Sequence, residues 1–501
     1  MGKGQQPTSE VQTFPAPVYP EVLKKVFDAF VSRDIEAYLI GPRARDLARG
    51  EDISGHHSFD LTVDTSLAQI ESLFSDLFGV VPKPVKEDRP RLVTFKIPKT
   101  PTDDDADNDN QDSSGHWTFN MGPFRNYLPP LRSLRGQNLS GIILDLATRE
   151  ITIQAFGYDH EGGLIDPFGG TRDLADNLVR PVFPTETVFR ESAGWLLKVA
   201  RYVARYGYRA APEVRSSASR DASNLLDVPR EFWRREMDKI LCGSHAGLGL
   251  QFMADTRVLS FLLPEVANLV TFSAEAEGRH KDIWDHTKQV VDNAETNTIV
   301  RWAALCHDIG KVWTRQYFGK DKVHFFRHED MSALLFEGIA ARLQIPSETA
   351  HKIHYLIKNH SRINLYREDW TDSAVRRLIR DVGEHLDRLI AFSRADLTSK
   401  RAERVELVRS LLADLQLRII RIKEADARVS PLPKDIGNRI MERFNLSPGP
   451  EIGRLRSLLL GAINDGRLAG GEKDDVYLDF IEGLASASPD DVDQNKKTTT
   501  S

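Results

Sequence analysis

Near residue 180 the apolar pattern of this chain changes period and does not change back. Before that point, short runs rich in β-branched and aromatic residues alternate with helical segments and Gly/Pro turns. After it, apolar residues recur at three- and four-residue spacing to about residue 485. A chain divided this way cannot form one doubly wound sheet. It predicts an α+β architecture, a mixed β-sheet with its helices first and helical domains behind. The 501 residues suffice for two to four domains, each with its own core.

In the first part a helix is predicted from Pro20 (Leu23, Val26, Phe27, Phe30, Val31), then a strand Ala37–Ile40. Gly41 marks a tight turn that opens a helix through Leu47. A strand Phe59–Asp64 and a helix through Leu67, Ile70, Leu73 and Phe74 follow, and further strands are predicted at Leu92–Ile97, His116–Met121, Gly141–Leu146 and Ile151–Tyr158. The acidic run Asp103–Asn110 starts like a calcium loop at Asp105. It has Asn110 where the loop needs Gly and His116 where it needs Glu, so a solvated insertion over 101–115 is expected. In the helical part, breaks are expected near Ala211–Ala222, Glu275–Lys281, Val429–Lys434 and Leu446–Pro450. The expected organisation is a tail over 1–19, a head over 20–178, a helical neck over 179–274, a third domain over 275–400, a helical region over 401–485 and a tail over 486–501.

Net charge is −6, so any nucleic-acid surface must be local rather than global. Two cysteines, Cys242 and Cys306, exclude a disulfide framework and a Cys-rich zinc site. No apolar run approaches membrane-spanning length, and the N-terminus lacks a signal core, so a cytoplasmic protein with no membrane partner is expected.

The apolar run Ile299–Cys306 ends in His307-Asp308-Ile309-Gly310-Lys311. A buried His beside a buried Asp is costly unless both are paired or bind metal. Continued as a helix, the segment would put Lys311 one turn beyond His307 on the same face.

The first 175 residues resemble the head of the tRNA nucleotidyltransferase/poly(A) polymerase family, which includes CCA-adding enzymes. Gly41–Leu47 resembles its Gly-Gly-x-Val-Arg-Asp motif, Phe59–Asp64 its Asp-x-Asp strand, Asp145–Ala155 its Arg-Arg-Asp-Phe-Thr-Ile-Asn-Ala segment, and Ile165–Gly170 its Ile-Asp-Pro-Phe-Gly-Gly. Phe189–Tyr208 resembles the neck helix, and Asn445–Gly453 a later Pro-Gly-Pro-x-Ile-Gly element. The family's chemistry needs carboxylates paired on one strand face to hold metal ions. Here Ser58 stands where the first acid belongs, leaving Asp60, and Asn120 lies near the position of a third. Pro42 replaces a glycine, and Ser192 and Trp195 replace the Asp and Arg that read the base. The residual site would be Gly41, Arg45, Asp46, Asp60 and Arg149. Lys198, Arg201, Arg205 and Arg209 form a basic stripe interleaved with Tyr202, Tyr206 and Tyr208, suited to RNA or a nucleotide.

Residues 280–400 resemble the HD-type metal-dependent phosphohydrolase domain. His286, His307, Asp308, His328, His360 and Asp396 match its ligand motifs in order. The resemblance implies one or two divalent ions, with Mn, Ni, Fe or Co better suited to imidazole than Mg. Asp308 would bridge them, and Lys311 and Arg327 would face phosphate oxygens.

The expected function is therefore an HD phosphohydrolase acting on a nucleotide or RNA-end phosphate, carried on an inert nucleotidyltransferase-like head. The alternatives are an active nucleotidyltransferase with altered metal ligation, extending an RNA or tRNA 3′ end, and a non-catalytic RNA-binding protein. RNA (tRNA among the candidates) or a nucleotide is the expected partner; no DNA is predicted.

Overall fold

The computed structural model describes residues 17–84, 92–99, 115–127, 131–132, 139–275, 282–318, 322–399, 401–428 and 432–486. The acidic run 103–110 and most of both expected tails lie outside the described residues. The chain divides into two units. The first comprises Met1–Asp292, Lys311–Phe326 and Leu334–Ala350; the second comprises Asn293–Gly310, Arg327–Ala333 and His351–Ser501. Among the described residues, no helix is long and apolar enough to cross a membrane.

The α+β expectation holds. The first unit opens with a seven-stranded mixed sheet: β1 (Ala37–Ile40), β2 (Ser58–Val63), β3 (Lys83–Pro84), β4 (Val93–Pro98), β5 (His116–Pro123), β6 (Gly157–Tyr158) and β7 (Leu164–Ile165). Their spatial order is β3-β4-β5-β2-β1-β6-β7, with β2 and β5 parallel and the other neighbours antiparallel. Alternation decides the faces of β2. Phe59 and Leu61 enter the core, where Phe74 stacks on Phe95 at 4.0 Å between ring centroids, while Ser58 and Asp60 share the opposite, more open face.

Three helices of the head follow their sequence signals. α1 (Glu21–Val31) buries Leu23, Val26, Phe27 and Phe30 along one stripe. α2 (Gly41–Ala48) begins directly at the end of β1, with Pro42 in its first turn, where the missing N–H costs no helical bond. α3 (Leu67–Phe78) opens on a Ser66/Gln69 capping box and ends at Gly79 in the left-handed region.

The strand predicted at Gly141–Leu146 is instead a helix, α4 (Gly141–Ala147). An unbroken apolar run fits a buried strand or a buried helix equally, and packing decided. Ile142 and Leu146, one turn apart, bury together against Ile40. The strand predicted at Ile151–Tyr158 shrinks to a bridge at Ile151, a 3-10 turn at Thr152–Gln154 and the two residues of β6. Gly170 packs so tightly on this turn that a Cβ there would fall 2.1 Å from the Thr152 carbonyl oxygen.

Behind the head, the neck helix Trp195–Tyr206 buries Leu196, Leu197, Val199, Ala200, Tyr202 and Val203. The break expected at Ala211–Ala222 is mostly a helix, Pro212–Asp221, because Pro212 occupies the first turn rather than interrupting an interior. The helical region also contains an unforeseen antiparallel hairpin, Arg315–Phe318 with Lys322–Phe325. The second unit is helical. Its last segment has its own core around Ile436, Ile440, Leu459, Tyr477 and Ile481.

Candidate functional site

In the second unit, Asn297 caps the helix Thr298–Cys306, its side chain accepting from the Ile299 and Val300 amides. That helix stops at Cys306, and His307 to Gly310 form a turn, so His307 and Lys311 do not lie on successive turns of one helix as expected. The turn requires its glycine. A Cβ on Gly310 would sit 2.4 Å from the His328 carbonyl oxygen, and the Gly310 amide donates to Ser332 Oγ at 2.9 Å. The doublet is thereby fixed against the start of the helix His328–Arg342.

Around this turn, ligand atoms of Asp308, His328 and His360 lie within 4.8 Å of one another. Asp308 is central: one oxygen is 3.2 Å from His307 Nε2 and the other 3.4 Å from His328 Nε2. Asp396 Oδ1 lies 3.9 Å from His307 Nε2. His307 and Asp308 are each only 1% exposed, and Phe392 walls the histidine rings.

Backbone contacts fix how two of these histidines present themselves. His307 Nδ1 meets the Ala304 carbonyl at 2.8 Å, and His360 Nδ1 meets the Ile357 carbonyl at 2.7 Å. A carbonyl only accepts, so each Nδ1 carries a proton and each ring presents Nε2 to the cluster. Burial, with His307 beside it, holds the His360 imidazole well below its usual range and so keeps it neutral. At His307 it is Nε2 that faces the Asp308 carboxylate. The donor set, imidazoles with a shared carboxylate, fits a divalent transition ion.

Supporting residues appear that sequence reading missed: Ser332 under Gly310, Phe392, and Glu329. Glu329 lies 3.2 Å from His328 Nδ1 and accepts from the Ser361 hydroxyl at 2.7 Å. Glu329 directly follows His328, which was the available signal; Phe392 and Ser361 gave none. Of the other expected residues, His286 is buried on the helix Ile283–Asn293 and belongs to the first unit. Lys311 also belongs to that unit, its Nζ 5.7 Å from the Phe325 ring centroid. Arg327 is exposed and pairs with Asp330.

The head presents a second constellation. Asp60 pairs with Ile40 on one side and Asn120 on the other. Gly41, at φ +74°, leaves room for it, since a Cβ there would lie 2.7 Å from Asp60 Oδ2. Asn120 Nδ2 donates to Asp60 Oδ1 at 2.9 Å and its own oxygen accepts from Thr94 at 2.8 Å. Asp46 pairs with Arg43 at 2.6 Å, and Arg149 with the buried Asp145 at 2.8 Å. Asp166 accepts from the Gly170 and Thr171 amides, which explains the Asp in that turn.

Two members of the expected basic stripe are engaged locally. Lys198 meets Glu150 at 2.8 Å, Arg201 bonds both Glu150 and Glu236, and the Tyr202 hydroxyl donates to Glu150 at 2.6 Å. Burial pushes the Glu150 carboxyl up, but these partners outweigh it and bring it down to about 2. Arg205 stays at the surface. Its guanidinium and that of Arg45 lie 5.4 and 5.3 Å from the Tyr206 ring, and Tyr202, Tyr206 and Tyr208 run ring to ring.

Three family models match the chain: the poly A polymerase head domain over residues 37–180, the "Probable RNA and SrmB-binding site of polymerase A" over 207–269, and the HD domain over 268–414. Among curated proteins, the Multifunctional CCA protein of Leptothrix cholodnii is 32% identical over 228 residues, covering 44% of this chain and 53% of the relative. That of Laribacter hongkongensis is 30% identical over 273 residues, covering 50% and 63%. The chain thus spans only about half the length of the curated relatives it matches. In fold, it is similar to the Bacillus stearothermophilus CCA-adding enzyme in complex with CTP, at TM-score 0.58 and 17% identity over 93% of this chain and 97% of that one. A CCA-adding enzyme in complex with ATP gives TM-score 0.54 at 17% identity, over 94% and 97%.

These relatives correct the expectation that the chain's function is HD phosphohydrolysis on an inert head. The similar proteins are CCA proteins and CCA-adding enzymes, which favours the alternative of a working nucleotidyltransferase. The head and the segment behind it match the models of the poly A polymerase head and RNA-binding regions, and an HD domain model matches the residues that follow.

Proposed function

We propose that this chain adds nucleotides to the 3′ end of an RNA, with tRNA as the acceptor, through a head whose metal ligation is altered. One observation carries the reading: the Asp60 carboxylate lies against Gly41, at the point where β1 turns into α2. A carboxylate on a strand face beside a glycine-opened helix start suits an ion and the phosphates it accompanies. Asp60 would hold that ion through Oδ2, with the Ser58 hydroxyl as a neutral oxygen donor on the same face and Asn120 Nδ2 holding Oδ1 in place. A bound divalent ion there would neutralise triphosphate charge. With one carboxylate in place of a pair, the ion is held weakly, so activity should need raised Mg or Mn.

Incubating tRNA lacking its 3′ terminus with labelled CTP or ATP tests this. Incorporation should rise with Mn and disappear in Asp60→Ala. Ser58→Asp, which restores a second acid on the same strand face, should raise it about tenfold or more at low Mg. Incorporation indifferent to Asp60 would sink the reading.

The cluster around Asp308 would hold a divalent transition ion, Mn, Fe, Co or Ni in preference to Mg, with Asp308, His307, His328, His360 and Asp396 as ligand candidates. What supports this is the donor chemistry and the Nδ1–carbonyl contacts at His307 and His360.

A further inference from the structure

The stretch Trp313–Phe326, which contains the hairpin Arg315–Phe318 with Lys322–Phe325, supplies no ligand candidate to either centre. Among the described residues, four aromatic side chains stand strongly exposed, and three fall in one short stretch: Trp313 at 47%, Tyr317 at 61% and Phe326 at 53%. Large aromatics left in water at such density mark an interaction surface. The hairpin is anchored on one face: Phe325 packs on Phe272 of the helix Pro264–Glu275 at 6.2 Å between centroids, and the Arg315 guanidinium covers the same Phe272 ring at 4.6 Å. Tyr317 extends beyond this anchor with Arg315 5.4 Å from its ring. On the other face, His324 and Phe326 stack almost parallel, 7° apart, with centroids 5.4 Å from each other.

Charge narrows the choice of partner. In a chain of net charge −6, the described charged side chains of this stretch, Lys311 and Arg315, are both cationic. Exposed ring faces beside cations, on a locally basic element of an acidic protein, match a polyanion that also presents flat rings. The geometry points to this hairpin as a binding platform for single-stranded RNA, its bases stacking on Tyr317 and on the His324–Phe326 pair while Arg315 meets the phosphates. An apolar protein partner would have no use for the cations, and duplex RNA keeps its base faces hidden.

The test uses the full chain and a fluorescently labelled 12-nucleotide single-stranded RNA, read by anisotropy without nucleotide triphosphate. It is therefore independent of whether the head transfers nucleotides. Trp313→Ala/Tyr317→Ala/Phe326→Ala should weaken binding about tenfold or more, since each lost stack is worth roughly five- to a hundredfold. Tyr317→Trp/Phe326→Trp, which keeps the ring faces, should retain wild-type affinity, and a hairpin duplex of the same length should bind both variants as it binds the wild type. Unchanged thermal unfolding of the alanine variant separates loss of the platform from loss of the fold. Wild-type affinity in the alanine variant overturns the proposal, as does equal weakening in the tryptophan variant. So does a change in sedimentation with no change in RNA binding, which would make the patch a protein interface.

Discussion

Glu150 concentrates on one carboxylate what ties the neck helix to the head: two cations and a tyrosine hydroxyl. Its carboxyl falls from an ordinary 4.5 to about 2, so the folded state binds the proton less well than the unfolded chain. The stability this supplies is present above pH 4.5 and is lost as pH falls toward 2. The span corresponds to an upper bound of about 3 kcal/mol. Glu150→Gln should lower stability at pH 7 by about 1–3 kcal/mol and flatten the acid limb of a urea-midpoint profile across that window. In sequence Glu150 is one residue of the segment Asp145–Ala155 with nothing to mark its partners. That Lys198 and Arg201 would close on it was not legible, because the partners lie about 50 residues away and meet only when the neck packs on the head. Gly310 is the opposite case. Its place in His-Asp-Ile-Gly-Lys marked it from sequence, and the structure supplies the reason, a backbone approach that a Cβ would block. Gly310→Ala should cost about 1–3 kcal/mol by overpacking and release the divalent ion proposed for the Asp308 cluster, read by urea denaturation and metal analysis of the same sample.

Elements were legible where local signals were unambiguous. The stripe of α1, the glycine turn into α2 and the apolar spacing of α3 all lie within a few residues of what they specify. They misled where a signal was degenerate. The Gly141–Ala147 run reads as strand or helix, and only burial of Ile142 and Leu146 against Ile40 selects the helix. Leu146→Ala should therefore destabilise the head by about 2–5 kcal/mol, measured by denaturant unfolding followed by tryptophan fluorescence. The hairpin at 315–325 was missed because four-residue strands inside a helical region give no periodicity long enough to detect.

At the scale of the whole molecule, the two centres lie in separate units, with Asp60 in the first and Asp308 in the second. The ions proposed for them differ in kind, since oxygen donors serve a hard ion and imidazoles a transition ion. Asp308→Ala should strip the transition metal from purified protein, measured by elemental analysis, while Asp60→Ala should keep that metal and lose nucleotide incorporation. Loss of the transition metal in Asp60→Ala would show that the two centres are not separate.

The sequence by itself determined the change of period at the neck, the order of the ligand-type residues around His307-Asp308, and the substitution of Ser58 for an acid. These are properties of residue type and spacing, carried by the chain whether folded or not. Folding alone settled which side chains complete them: Asn120 on Asp60, Glu150 under Lys198 and Arg201, and the aromatic hairpin left in water. Each is a contact or an exposure between segments far apart in sequence. Its existence depends on which faces pack, and spacing along the chain does not encode that.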